Sequence, residues 1–392
     1  MAAEAAQKVE ALEAQARRLM GTFTRAGYEQ VAPSIIQPAD LFLDVVGEAL
    51  RARTYVFTDF EGEELCLRPD LTVPTCRLHL SRHPGGNVPA RYCYNGPAFR
   101  YQPGSADSAH PREFRQAGIE SFAAPDRERD DAAVLALIVE ALRETGLEQL
   151  QLMIGDLGLF SALLEALPIP KRWRRRLRHH FWRPEAFHAE LARLTSAAAL
   201  KQLDVPRELV ERLDPDQPEE AQSFVAEYLD QSGVELVGTR TLPEIAERVL
   251  AEVADARETP LAPQTAALIE SYVAIKAPVR DAGRRIEALQ RPNRIDLGPA
   301  LDAFRRRLDL LEAAGIATAG ATFSAEFGRD LEYYTGFVFE ISVPRLGPRS
   351  PVAGGGRYDS LVADVGASAA VPAVGSSIHT ERLLAVLSGE AS

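Results

Sequence analysis

Strand-like patterning at both ends of the chain, with a long helical stretch between them, limits what this sequence can fold into. Residues 54–58 (TYVFT) and 64–68 (ELCLR) flank Asp59–Gly62 as the two arms of a hairpin do. Residues 91–101 (RYCYNGPAFRY) read as a strand bent at Asn95–Gly96–Pro97, and residues 112–123 (REFRQAGIESFA) alternate like a strand. Ahead of them, Val9, Leu12, Ala16, Leu19, Met20 and Phe23 recur at helical spacing, which predicts a helix over 4–26 that Gly27 ends. Residues 28–36 then look extended, and Pro33, lacking an N–H, belongs at an edge or bulge. From about 127 the period turns helical, interrupted by a short strand at Leu150–Ile154 and by breaks at Asp214–Pro218 and Thr259–Pro263. Strand periodicity returns near 318 in ATFSAEF and YYTGFVFEISV, followed by Gly354–Gly355–Gly356 and a last helix around 380–388. The economical fold is α+β: an antiparallel sheet flanked by helices and built from 1–125 and 318–392, with 126–317 as a connecting, mostly helical insertion outside it.

Charge and composition narrow the function. The 392 residues carry 44 Lys and Arg against 56 Asp and Glu, a net charge of −12. A grip on a polyanion needs many cation–phosphate contacts, so nucleic acid is not expected as a partner. No apolar run reaches the ~20 residues of a membrane span. The N-terminus, MAAEAAQKVEALEAQ, lacks an export pattern, so a cytoplasmic protein with no membrane association is expected. Cys66, Cys76 and Cys93 lack metal-knuckle or redox spacing and read as small buried hydrophobes. His79 and His83 stand at i,i+4 with no carboxylate beside them, so neither a metal site nor a cofactor is expected. The segment Lys171–Arg183 (KRWRRRLRHHFWR) puts Trp173, Leu177 and Phe181 on one helical stripe amid seven basic residues. It suits a solvated helix, a partner interface or a local phosphate-binding patch.

Four clusters could carry chemistry: Leu67–Thr72 (LRPDLT), Gly96–Arg100 leading into Phe114–Glu120, Phe327–Gly336, and Gly354–Asp359 followed by Pro372–Leu383. Each alone has an ordinary reading as a turn, a hairpin or an exposed ladder. In this order they resemble the catalytic core of histidyl-tRNA synthetase, a class II aminoacyl-tRNA synthetase. Tyr28–Glu48 with Pro33 resembles its first motif, Phe99–Arg100 through Glu120 its second, and Gly375–Leu383 its third. Arg329–Asp330–Leu331–Glu332–Tyr333–Tyr334 resembles the element peculiar to the histidine-specific members. The resemblance implies a class II-type sheet, a dimer formed through Tyr28–Glu48, and a pocket for free histidine made by Asp70, Thr72, Arg100, Gln116, Glu120, Arg329, Tyr333, Tyr334 and Tyr358. The chemistry agrees. Asp70, Thr72 and Gln116 offer acceptors for an ammonium. Arg329 or Arg100 can fork onto a carboxylate. Glu120 with Tyr334 can satisfy the two ring nitrogens of an imidazole, with Tyr333 or Tyr358 as an aromatic wall.

Other features depart from a working synthetase. Ten residues follow Arg382, too few for an anticodon-reading domain. His379 stands where the third motif has a Gly that leaves room for adenine. The loop Tyr101–Pro111 holds Asp107 and no Lys or Arg, and Asp330 replaces a Gly beside Arg329. A synthetase-like core of this length is similar to the regulatory subunit of ATP phosphoribosyltransferase. That resemblance implies a subunit with no catalytic residues of its own, forming homodimers within a hetero-oligomer. Its partner would be a short-form catalytic phosphoribosyltransferase subunit at the first step of histidine biosynthesis, and histidine its feedback effector. The alternatives are a divergent histidine-activating enzyme and a histidine-sensing protein with another partner.

Overall fold

Nine strands join in one sheet in the computed structural model, which describes residues 6–43, 48–102, 111–202, 205–215, 217–232, 241–328, 333–347 and 350–389. The strands among these are β1 (Glu29–Gln30), β2 (Ile36–Pro38), β3 (Tyr55–Thr58), β4 (Glu64–Leu67), β5 (Ala90–Phe99) and β6 (Glu113–Phe122). After them come β7 (Gln151–Asp156), β8 (Lys276–Pro278), β9 (Thr322–Ser324), β10 (Phe337–Ser342), β11 (Ala353–Arg357) and β12 (Ala373–His379). The large sheet runs β1-β5-β6-β12-β11-β10-β7-β9-β8 and is antiparallel except at β1–β5 and β7–β9; β2-β4-β3 form a separate antiparallel sheet. The two ends of the chain therefore share one sheet, as their periodicity predicts: RYCYNGPAFRY supplies β5 and YYTGFVFEISV supplies β10.

Local chemistry explains two details. β5 runs unbroken through Asn95–Gly96–Pro97 instead of bending there. Beyond the pairs Glu29–Tyr92 and Gln30–Cys93 the β5 edge has no β1 partner, so Pro97 costs no ladder hydrogen bond. The Gly354–Gly355–Gly356 triplet is neither hairpin nor linker. It lies inside β11, where a Cβ on Gly355 would stand 2.2 Å from the Gly375 carbonyl oxygen.

The chain divides into a unit of residues 1–166 with 272–392 and a unit of residues 167–271. This differs from the division drawn from periodicity, at 125/126 and 317/318. β7, β8 and the helices Arg127–Glu144 and Gly298–Ala313 all belong to the sheet unit. Buried charges tie them in. Asp131 on the first helix accepts from Arg307 Nε and Arg357 Nε, both at 2.8 Å. Arg307 Nη1 donates to Asp156 of β7 at 2.7 Å, and Arg357 Nη1 to Asp359 at 2.8 Å. A buried charge left alone is costly, so these partners fix each helix against its strand. The three cysteines are free and buried.

In the 167–271 unit the basic helix is Lys171–His180. Much of its charge points inward. The buried Asp255 carboxylate accepts from Arg172 Nε (2.8 Å), Trp173 Nε1 (2.7 Å), Arg193 Nη2 (2.8 Å) and Arg176. Burial pushes the Asp255 carboxyl up, but the hydrogen bonds from Arg193, Arg172 and Trp173 outweigh it and hold it below the ordinary range. Trp173→Phe removes one charge-assisted bond and should lower the stability of this unit by about 1.5–3 kcal/mol. Denaturant unfolding followed through Trp182, the other tryptophan, reads this directly. An unchanged midpoint would mean that the arginines alone satisfy Asp255.

Candidate functional site

The site grows out of strand register. Residues directly opposite in an antiparallel ladder share a face. One row across the sheet reads Tyr94, Gly118, Ser377, Gly354, Glu340. The next reads Tyr92, Glu120, Gly375, Gly356, Val338. Glycines thus clear the middle of the face and polar side chains surround the clearing. The clearance is used: a Cβ on Gly375 would fall 1.5 Å from Glu120 Oε2, and one on Gly118 2.6 Å from the Tyr94 hydroxyl.

Above this floor lies a cavity of about 550 Å³. Seven of the nine residues expected to bind histidine line it: Asp70, Thr72, Arg100, Gln116, Tyr333, Tyr334 and Tyr358. Glu120 sits beneath the floor instead of on its surface, fully buried. Its Oε1 accepts from the Tyr94 hydroxyl at 2.9 Å and its Oε2 from the Tyr358 hydroxyl. Burial pushes its carboxyl up to about 7, against hydrogen bonds from Tyr358, Thr72 and Tyr94 that favour the ionised form, while the Asp70 charge adds to the rise. Arg329, the ninth, lies outside the described residues, as do Asp330, Leu331, Glu332 and Asp107.

Asp70 and Gln116 are the most informative pair. Asp70 Oδ1 accepts the Val73 N–H at 3.2 Å and so holds the start of the Thr72–Arg82 helix. Asp70 Oδ2 and Gln116 Oε1 are buried without a hydrogen-bond partner among the described residues, and both side chains line the cavity. A buried acceptor left unpaired costs about 1–3 kcal/mol, so a donor brought to either atom would be favoured. Burial raises the pKa of Asp70 although the Arg100 charge, the Val73 and Thr72 amides and the Tyr333 hydroxyl all oppose the shift.

The other motif residues divide by role. Arg68 is structural: buried, it donates from Nε to the Pro97 carbonyl at 2.8 Å and from Nη1 to that of Pro33. Glu381 accepts the Arg115 N–H at 2.8 and 3.0 Å and fixes β6 to the last helix, whereas Arg382 lines the cavity. The His379 ring stacks on Phe114 with centroids 4.4 Å apart and planes 21° apart, and Arg100 lies 5.1 Å from the Phe114 ring centre. A flat ligand therefore finds the Phe114 platform occupied.

The sequence matches the histidyl-tRNA synthetase family over residues 4–230 and 225–383. An ATP phosphoribosyltransferase regulatory subunit from Brucella anthropi is 35% identical over 368 residues, 93% of this chain and 95% of that protein. One from a Chelativorans species is 36% identical over 90% of this chain and 92% of the relative. The chain belongs to the ATP phosphoribosyltransferase regulatory subunit family. A solved ATP phosphoribosyltransferase regulatory subunit/histidyl-tRNA synthetase from Bacillus halodurans has the same fold, with a TM-score of 0.68 at 20% identity over 99% of this chain and 82% of that one. A histidine–tRNA ligase subunit from Alicyclobacillus acidocaldarius follows at 0.60 and 25% identity, covering 100% and 97%. The fold is thus the class II synthetase type expected from the motifs.

Sequence reasoning missed several parts of this family member's cavity. Tyr94 holds Glu120 from β5, and Ser377, Glu340, Arg53 and Gln102 line the space. Tyr94 was findable: once β5 and β6 are paired, it falls opposite Gly118, two residues from Glu120 on the same face. Arg53 and Gln102, joined at 2.6 Å, come from loops with no periodicity to place them.

Proposed function

We propose that the chain is a non-catalytic regulatory subunit of ATP phosphoribosyltransferase, at the first step of histidine biosynthesis. It makes a short-form catalytic subunit active and subjects it to feedback by histidine bound in the cavity described above. The observation that carries the ligand reading is the pair of buried acceptors without donors, Asp70 Oδ2 and Gln116 Oε1. An α-ammonium brings three N–H donors and a positive charge to that spot. In this reading Arg100 meets the carboxylate, and the tyrosines over Glu120 meet the imidazole. The family's relatives, named as regulatory subunits, support the role. The same family pattern supports a homodimer formed through the N-terminal segment that contains β1 and β2.

The test mixes the full-length chain with a short-form catalytic subunit and follows phosphoribosyl transfer with and without L-histidine. Activity should appear on mixing and fall as histidine is added, while calorimetry shows histidine binding to this chain alone. Histidine that binds but leaves the rate unchanged would remove the feedback role. Arg100 and Arg382 in the cavity support a second reading, a histidine-activating enzyme. The stack of His379 on Phe114 argues against it, because that face would have to receive the nucleotide base. Histidine-dependent ATP–pyrophosphate exchange with magnesium should therefore be absent, and a robust signal would favour the enzyme.

A further inference from the structure

The hydroxyls around Glu120 all turn their protons towards it. Tyr94 donates to Oε1 at 2.9 Å, Tyr358 donates to Oε2, and Thr72 adds a third hydrogen bond. A hydroxyl has a single proton, so once that proton is committed the oxygen presents only lone pairs to whatever lies above it. Thr72 and Tyr358 both line the cavity, with the Glu120 carboxylate fully buried beneath them. This part of the floor therefore accepts hydrogen bonds and lies over a carboxylate. The Tyr333 hydroxyl, alongside, bonds the Asp70 carboxylate in the same sense.

Such a floor discriminates between the protonation states of an imidazole. A neutral ring has one N–H and one lone pair, and the lone pair finds no donor in these committed hydroxyls. A doubly protonated ring has two N–H groups and a positive charge for the carboxylate. Tyr334, also in the wall, accepts as readily as it donates and does not decide between them. The other titratable groups around Glu120 are Tyr28, Tyr94, Tyr358 and Cys76, and burial pushes all four up, so they stay neutral near neutral pH. Among the described residues the charged groups lining the cavity are Asp70 and Glu340 with Arg53, Arg100 and Arg382. Of these, Asp70 and Arg100 serve the ligand's ammonium and carboxylate in the reading above, and Arg53 holds Gln102 at 2.6 Å. We propose that the cavity binds histidine as the imidazolium, with the charged ring donating to the Tyr358 hydroxyl over an ionised Glu120. The inference rests on the histidine reading above and specifies the ionic form of the ligand that the site selects. It makes feedback depend on pH. The bound ring and Glu120 hold one proton between them. An imidazole titrates near about pH 6.5 and the empty site's Glu120 at about 7, so when apart they hold nearly two protons at about pH 5.5 and almost none at about pH 8. Binding should therefore release about one proton at the lower pH and take up about one at the higher, with affinity greatest near about pH 7.

Calorimetric titration of the full-length chain with L-histidine, in buffers of different ionisation enthalpy, counts these protons. Nitrogen NMR of ring-labelled L-histidine bound to the chain locates them. At about pH 8 both ring nitrogens of the bound ligand should carry hydrogen, whereas free histidine has one bare nitrogen there. Because the label is on the ligand, titration of His379, which also lines the cavity, does not enter the signal. Triazolylalanine has nearly the shape of histidine but a ring too weakly basic to be protonated at neutral pH. It should bind about a hundredfold more weakly, having lost the charge-assisted bonds. Absence of any histidine binding would overturn the histidine site and this inference together. Histidine that binds at about pH 8 without taking up a proton would overturn the imidazolium alone. So would proton uptake with one ring nitrogen still bare, since the proton would then sit on Glu120. Triazolylalanine binding as tightly as histidine would likewise leave the site in place and remove its choice of the charged ring.

Discussion

Asp70→Asn should weaken L-histidine binding by a hundredfold or more. The substitution keeps the shape and keeps an oxygen for the Val73 N–H, so the Thr72–Arg82 helix retains its start. It removes the negative charge and turns the unpaired Oδ2 into an NH₂ that faces the ligand's ammonium. Breaking a buried charge pair costs about 3–5 kcal/mol, because the remaining charge stays dehydrated without its partner. Stability of the empty protein should move the other way or not at all, since burial already disfavours the Asp70 carboxylate. Calorimetric titration with L-histidine measures the first effect and thermal unfolding without ligand the second. In the assembled enzyme, the histidine concentration for half-inhibition should rise by the same factor as the dissociation constant, because binding and regulation share one coupling free energy. An inhibition curve that does not move while binding is lost would show that histidine acts from another site.

Several parts of this architecture were legible because they depend on spacing. The period-two patterns of RYCYNGPAFRY and REFRQAGIESFA predict a strand pair, and the structure pairs Ala90–Phe99 with Glu113–Phe122 residue for residue. What escaped sequence reasoning depends on distance along the chain. Asp131, Asp156, Arg307 and Arg357 look like surface charges when each is read in its own helix or strand. Only after folding do they meet as one buried network, and that network draws 126–166 and 272–317 into the sheet unit. The basic helix packs through Trp173 and Leu177 as its apolar stripe suggests, but its ion pairs were not legible for the same reason. Its arginines read as a solvated face or a phosphate patch until Asp255, some eighty residues later in the chain, gathers Arg172 and Arg176 inward. At the site, seven of the nine residues drawn from the motifs come together around one cavity, because residues at fixed offsets on one strand face stay together under any register-preserving fold. Offsets could not tell surface from subfloor. Whether Glu120 touches a ligand or props a tyrosine depends on Gly375, a neighbour supplied by the far end of the chain.

That placement changes what Glu120→Gln should do. Both carboxylate oxygens already accept from the Tyr94 and Tyr358 hydroxyls, so in the proposed histidine site Glu120 would position the tyrosines and supply charge from below. Its folded pKa, about 7, lies above the ordinary glutamate value of 4.5. The empty folded protein therefore holds a proton between about pH 4.5 and 7 that the unfolded chain releases. Stability contributed by this group is complete below pH 4.5 and is lost as pH rises through 7, a total of roughly 3 kcal/mol. Glu120→Gln should flatten that part of the stability-versus-pH curve, with urea midpoints at pH 5 and pH 8 as the measurement. Ligand binding gives the complementary signature. At pH 8 wild type offers the cationic ligand a nearby negative charge that Gln lacks, so affinity should fall about ten- to hundredfold in the variant. At pH 5.5 the wild-type carboxyl is already protonated in the empty cavity and resembles the amide, so the same comparison should shrink to a few-fold. An equal ratio at both pH values would mean that Glu120 keeps one charge state throughout. Equal affinities at pH 8 would move the histidine site away from this floor.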